Sequence, residues 1–250
     1  MDSNTNSCRN CHKMLDPLMT TTMTLDGEVY QFCSAKCHNA WLKKNQKICF
    51  GCFRPVLGSH NFIQYGDGRV CCQQCFTTAV NTTEDLQNRL RKARAFFLKN
   101  YRFTPPCGVQ PELYDRFVFK TNFKLLSDDI RGVYGWAKYD NYLSCSIGVL
   151  RGLPANIFEQ VLVHELAHDM MAHVWKFSDN KMISEGFAQY IAYQYNLEAG
   201  EKALNDLLLS CSGNHDPENP DPYYDGLIRM LEVAEKGGYA SVEQYIIKNI

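Results

Sequence analysis

Four cysteine pairs crowd the first third of the chain and leave it few ways to fold. They read Cys8-x-x-Cys11, Cys33-x-x-x-Cys37, Cys49-x-x-Cys52 and Cys72-x-x-Cys75. Each spacing is a tight turn that aims two thiolates at one point, and two such pairs close a tetrahedral zinc site. Taken in consecutive order, Cys8, Cys11, Cys33 and Cys37 hold one structural zinc, and Cys49, Cys52, Cys72 and Cys75 hold a second. A segment this short and loop-rich cannot bury enough apolar surface to fold without its metal. Cys71 is the spare, because the C-x-x-C register and the following Phe76 favour Cys72. His12, His38 and His60 each neighbour a complete set and read as surface residues. The three cysteines beyond residue 76, Cys107, Cys145 and Cys211, read as small buried apolar residues.

The chain opens on Met1-Asp2-Ser3-Asn4, without the basic-then-apolar pattern of a secretory leader. Clustered thiols without that signal are metal ligands rather than disulfides, and a reducing, cytoplasmic setting is expected. No apolar run approaches the length of a membrane span, so no membrane partner is expected. Before residue 81, eight Lys and Arg face five acids. Two zinc tetrathiolates add about −4 of charge. The module therefore lacks the basic stripe that nucleic acid requires, and a protein-binding or regulatory role is expected.

Chemistry enters at His164-Glu165-Leu166-Ala167-His168, an H-E-x-x-H inside the apolar, helix-forming run from Val161 to Met171. Two imidazoles four residues apart lie on one helix face and can hold one Zn²⁺. Glu165 sits where it can take a proton from a water at the metal. A catalytic zinc takes a third protein ligand. The metzincin pattern fails, since Asp169-Met170-Met171-Ala172-His173 puts neither Gly nor His in register, and His173 reads as exposed or supporting. Glu185, in Ile183-Ser184-Glu185-Gly186, is the candidate: Ser184 reads as an N-cap and Glu185 as a first-turn residue. A Glu there also favours the helix dipole without binding anything. Gln189 and Asp169 are candidates to accept the free ring N–H of a zinc-bound histidine, or are solvated polar residues.

The expected organisation is a finger module over residues 1–80, a connecting amphipathic helix over 81–104, and a catalytic domain over 105–250. Thr82-Thr83-Glu84-Asp85 starts that helix, with Leu86, Leu90, Ala93 and Phe97 on one face and Pro105 beyond its end. Phe117-Val118-Phe119 reads as a strand, and residues 132–139 and 142–150 read as a hairpin turning at Asp140-Asn141. Helices are expected over about 155–175, 184–197, 199–210 and 223–249, the last broken at Gly237-Gly238. The fold class is α+β, a small sheet feeding a zinc helix in the zincin manner. The strand just before that helix is expected to pair with an extended substrate.

The second finger, Ile48-Cys49-Phe50-Gly51-Cys52 with Val70-Cys71-Cys72-Gln73-Gln74-Cys75, resembles a LIM domain. A LIM domain places two residues between its fourth and fifth ligands, whereas eleven separate Cys37 from Cys49. The first half, with Phe32-Cys33-Ser34-Ala35-Lys36-Cys37 and Trp41, is also similar to other treble-clef fingers, and residues 41–45 read as a short helix. Residues 147–154 leading into the zinc motif resemble the plant DA-one family, LIM-peptidases of gluzincin type that ubiquitin regulates. So do the sixteen residues between His168 and Glu185, Gln189, and Asp221-Pro222-Tyr223-Tyr224-Asp225-Gly226. The resemblance covers most of residues 130–250. It implies a zinc hydrolase acting on protein or peptide substrates, with one catalytic and two structural zinc ions. No acidic ubiquitin-interacting helix precedes Cys8, so ubiquitin control is not expected to carry over. Tyr223 and Tyr224 match the relatives' Tyr that helps hold the oxyanion, and both can equally be packing aromatics; His215 and His173 are weaker alternatives. The competing expectation is a zinc-scaffolded interaction protein whose second half is catalytically silent.

Overall fold

The structure is a computed structural model of the 250-residue chain. It describes residues 7–16, 20–25, 27–58, 61–105, 110–123, 130–139, 142–175, 178–210 and 219–250, without the side chains at 123, 136–139 and 142–144. The Asp140-Asn141 turn, His60, His215, Cys107 and Cys211 lie outside the described residues. The chain divides into two units, residues 1–78 and 79–250. Residues 79 and 80 belong with the second: the Val80 N–H donates to the Leu153 carbonyl at 2.9 Å, and the Val80 carbonyl accepts from the Gly152 N–H at 2.8 Å.

The first unit is built from short hairpins. Strands β1 (Thr21–Leu25) and β2 (Glu28–Phe32) pair antiparallel and deliver Cys33 just past the strand end. Helix α1 (Ala35–Asn45) follows, with the Ser34 side chain accepting from the Cys37 N–H. It starts a turn and a half before the short helix expected at 41–45, because Ser34 is an N-cap and not merely a loop residue. Trp41 packs on Phe32, ring centroids 5.8 Å apart, and Phe32 is fully buried. Next come β3 (Lys47–Ile48) with β4 (Pro55–Val56), β5 (Phe62–Gln64) with β6 (Val70–Cys72), and the single turn α2 (Gln73–Phe76). The core there is small: Cys49, Cys71 and Cys75 with Phe50, Tyr65 and Phe76 around them. The Arg69 guanidinium lies over the Phe50 and Tyr65 rings and pairs with Asp67 at 2.8 Å.

The second unit opens with α3 (Thr83–Tyr101), capped by Thr82 and burying Leu86, Leu90, Ala93, Phe96 and Phe97. Its sheet has three strands in the order β7 (Glu112–Tyr114), β9 (Tyr142–Leu150), β8 (Gly132–Tyr139); β7 runs parallel to β9 and β8 antiparallel. Two expectations are corrected here. Phe117-Val118-Phe119 is not a strand but part of α4 (Arg116–Phe123), because the Asp115 carboxylate caps the Val118 N–H at 2.9 Å and only Phe119 of the three is buried. The strand before the helix that carries His164 and His168, β9, is flanked on both sides along 148–150, so its edge there is taken; among the described residues β8 and β7 each pair with β9 alone, so β8 carries one of the sheet's two free edges.

Five helices complete the unit: α5 (Ala155–Val174), α6 (Lys181–Ala199), α7 (Lys202–Ser210), α8 (Tyr224–Ala234) and α9 (Gly238–Asn249). Helix α5 is apolar nearly all round and lies among α3, α6, β8 and β9, so it is the buried axis of the unit. The buried Glu159 ties it to two neighbours, taking Arg89 of α3 as ion pair and the Tyr195 hydroxyl of α6 at 2.7 Å. Helix α6 begins earlier than expected. Asn180 caps it, accepting from the Met182 N–H at 3.0 Å, and Ser184 is buried inside the helix. No described helix is long and apolar enough to cross a membrane.

Candidate active site and metal centres

The finger cysteines meet as two groups, Cys8, Cys11, Cys33 and Cys37, and Cys49, Cys52, Cys72 and Cys75. Sulfurs about 2.3 Å from a common tetrahedral zinc lie about 3.8 Å apart. The pairs Cys11–Cys33, Cys33–Cys37 and Cys52–Cys72 are separated by 3.6, 3.6 and 3.8 Å, so the donor sets fit the ion. Main-chain N–H groups supply the surrounding polarity. The Cys72 N–H donates to the Cys49 sulfur at 3.2 Å, and the Cys75 N–H to the Cys72 sulfur at 3.4 Å. Burial raises the Cys8 and Cys49 thiols, but N–H donors from their own turns and the facing pair outweigh it, bringing them to about 6 and about 7. Cys71 is fully buried outside the second group.

In the second unit, α5 aims His164 and His168 at α6, where Glu185 meets them. The His164 Nε2 lies 3.2 Å from the His168 Nε2 and 3.2 Å from the Glu185 Oε2, and the third side of the triangle is 3.4 Å. Nitrogen and oxygen donors about 2.0–2.1 Å from one tetrahedral zinc stand about 3.3 Å apart, so this set fits the same ion. Burial alone would raise the Glu185 carboxyl, but hydrogen bonds and charge from His164 and His168 hold it well below the usual range. Because α6 starts at Lys181, Glu185 lies beyond the first turn, where the helix dipole has little hold on it.

Glu165 is buried one residue from His164, and burial is the main cause of its raised carboxyl pKa. The edge strand starts against it: a Cβ added to Gly132 would fall 2.5 Å from the Glu165 Oε1. Sequence reasoning misses Gly132, since no motif marks a strand glycine that clears a carboxylate.

Tyr223 and Tyr224 part company. The Tyr223 ring stacks on His164 at 6.0 Å between centroids and 18° between planes. Burial, then the charges of Glu185 and Glu165, raise its hydroxyl. Asp221 positions it, its Oδ1 accepting from the Tyr223 N–H at 2.9 Å. Tyr224 makes no such approach and begins α8. Gln189 reaches His164 through its side chain. Asp169 faces elsewhere: its Oδ1 lies 3.3 Å from the Tyr134 hydroxyl and 3.3 Å from the His173 Nδ1, while the His168 Nδ1 has no partner among the described residues. Cys145, expected as inert packing, is only half-buried and lies 2.8 Å from the Tyr134 hydroxyl.

Residues 2–40 match the family model of the MYM-type zinc finger with FCS sequence motif, which Phe32-Cys33-Ser34 spells here. The chain thus carries an N-terminal zinc finger of that type, spanning the whole first cysteine group. No curated protein and no solved structure matches the chain. The finger match says nothing of residues 79–250, whose chemistry rests on their own geometry.

Proposed function

We propose that the second unit is a zincin-like metallopeptidase of gluzincin type, acting on protein or peptide substrates, with the finger unit serving substrate or partner binding. The observation that carries this reading is the triangle of His164, His168 and Glu185 with Glu165 beside it. A zinc ion held by those three would polarise a peptide carbonyl and make water at it more acidic. Glu165 is the general base and then the acid for the leaving amine, and burial raises its carboxyl. The Tyr223 hydroxyl, kept protonated by burial and by Glu185 and Glu165, donates to the carbonyl oxygen as charge develops there. The free edge of β8 offers main-chain hydrogen bonds to an extended peptide, and Gly132 starts that edge at Glu165. Gln189 orients His164. The similarity of residues 130–250 to DA-one peptidases, and of the second finger to a LIM half, supports the same order of modules. Thiolate ligands throughout the finger suit a reducing, cytoplasmic compartment.

A second reading draws on the finger match for the first unit alone: a zinc-scaffolded interaction protein, whose second unit would then be catalytically silent. Digestion of a peptide library by the zinc-loaded chain separates the two. We expect cleavage that chelator abolishes, zinc restores and His164→Ala lacks; no cleavage by the zinc-loaded parent would favour the interaction reading.

A further inference from the structure

The two histidines of the triangle are held by different means. A zinc-bound histidine is ordinarily fixed by a hydrogen bond from its second ring nitrogen. The His164 ring has the Gln189 side chain as a partner and the Tyr223 ring against its face. The His168 Nδ1 is buried and has no hydrogen-bond partner among the described residues. Its ring meets His164 edge-on, with centroids 4.9 Å apart, and Tyr134 face to face, with centroids 6.1 Å apart and 25° between planes. We infer that Tyr134 of β8 is the positioning residue for His168, setting the plane of the imidazole by ring stacking where no hydrogen bond does.

The Tyr134 ring is itself anchored at its far end. Its hydroxyl lies 2.8 Å from the Cys145 sulfur on β9 and 3.3 Å from the Asp169 Oδ1 on α5. Asp169 is fully buried and is engaged in turn by His173, whose Nδ1 stands 2.8 Å from the Asp169 main-chain carbonyl and 3.3 Å from its Oδ1. The ring therefore cannot swing away from His168 without leaving buried polar groups short of a partner, which is costly. Aromatic pairs favour offset stacks with centroids about 4.5–7 Å apart, and the Tyr134–His168 pair falls in that range. Strand alternation puts Gly132 on the same face of β8 as Tyr134, two residues back. There the missing side chain leaves room for Glu165, since an added Cβ would fall 2.5 Å from its Oε1. One strand face thus fits two motif residues, clearing Glu165 and stacking on His168. The inference rests on His164, His168 and Glu185 holding zinc, and does not need peptide cleavage.

Zinc affinity is the test, because it reads the site without a substrate. The full-length, zinc-loaded chain is titrated with a competing chelator, and the ion followed is the one that His164→Ala lacks. Tyr134→Leu should weaken that ion by about 10–100-fold, the usual cost of removing a group that orients a metal ligand. Tyr134→Phe keeps the ring and should stay close to the parent, and neither variant should disturb the ions of the two cysteine groups. As a check on the folded parent, proton NMR of the histidine-labelled chain should place the His168 ring signals upfield, under the ring current of Tyr134, and Tyr134→Phe should keep them there. Parent affinity in Tyr134→Leu, equal weakening in Tyr134→Phe, or His168 signals without the upfield shift would overturn the proposal. A parent that holds this zinc and cleaves no peptide would sink the peptidase reading and leave the role of Tyr134 standing; a parent with no zinc that His164→Ala removes would overturn both.

Discussion

At the scale of single residues, the oxyanion partner is the sharpest distinction between two neighbours of the same type. Tyr223 stacks on His164 and is held by Asp221, whereas Tyr224 has turned into α8. Tyr223→Phe removes one hydroxyl with little change of shape, and kcat should fall by roughly 10²–10³ with KM nearly unchanged. Tyr224→Phe should cleave at the parent rate in the same steady-state assay. His164 and His168 were legible because helical periodicity converts a spacing of four into one face. Which of two adjacent tyrosines faces the site was not, because that depends on an Asx turn at Asp221 and on where α8 begins. Asp169 misleads for a related reason: sequence adjacency to His168 puts it about 100° round the helix, toward Tyr134 and His173.

At the scale of elements, α6 and α8 cross where two glycines touch. A Cβ on Gly186 would fall 2.6 Å from the Gly226 carbonyl carbon, and one on Gly226 would fall 2.7 Å from the Gly186 Cα. Both obstacles are backbone, so neither can swing aside. Gly186 follows the zinc ligand Glu185 assigned here, and Gly226 lies in the first turn of the helix that Tyr223 caps, so the close crossing sets both side chains. Gly186→Ala or Gly226→Ala should therefore cost about 1–3 kcal/mol in urea unfolding and lower kcat as well as stability. A loss of stability with parent kcat would detach the crossing from the site. The sequence displayed these glycines beside the motif residues but not their meeting, which is a tertiary contact. Apolar pattern failed at residues 117–119, where the Asp115 side chain bonding a backbone N–H decided for helix. At the start of α6 it was the choice of cap that failed, since Asn180 rather than Ser184 accepts the backbone N–H.

For the whole molecule, the two units hold together by different means. Among the described residues, the first unit buries the side chains of only Phe32, Val56, Val70, Arg69 and four cysteines, whereas residues 79–250 close an apolar core around α5 that includes Phe158, Leu162, Leu166 and Phe187. Limited proteolysis of the full chain in strong chelator should accordingly degrade the front unit first and leave a resistant fragment starting near residue 79. A front unit that survives metal removal would contradict the zinc assignment there. The cysteine pairs made the front unit legible from spacing alone, while the free edge of β8 emerged only with the strand order. The central claim is that the second unit hydrolyses peptide bonds with Glu165 as base. Its most direct test is Glu165→Gln in the full-length, zinc-loaded chain, with metal content and peptide-library cleavage measured on the same sample. Parent zinc content and a fall in cleavage rate of at least about 10²-fold are expected; a variant that holds its zinc and still cleaves at the parent rate would contradict the claim.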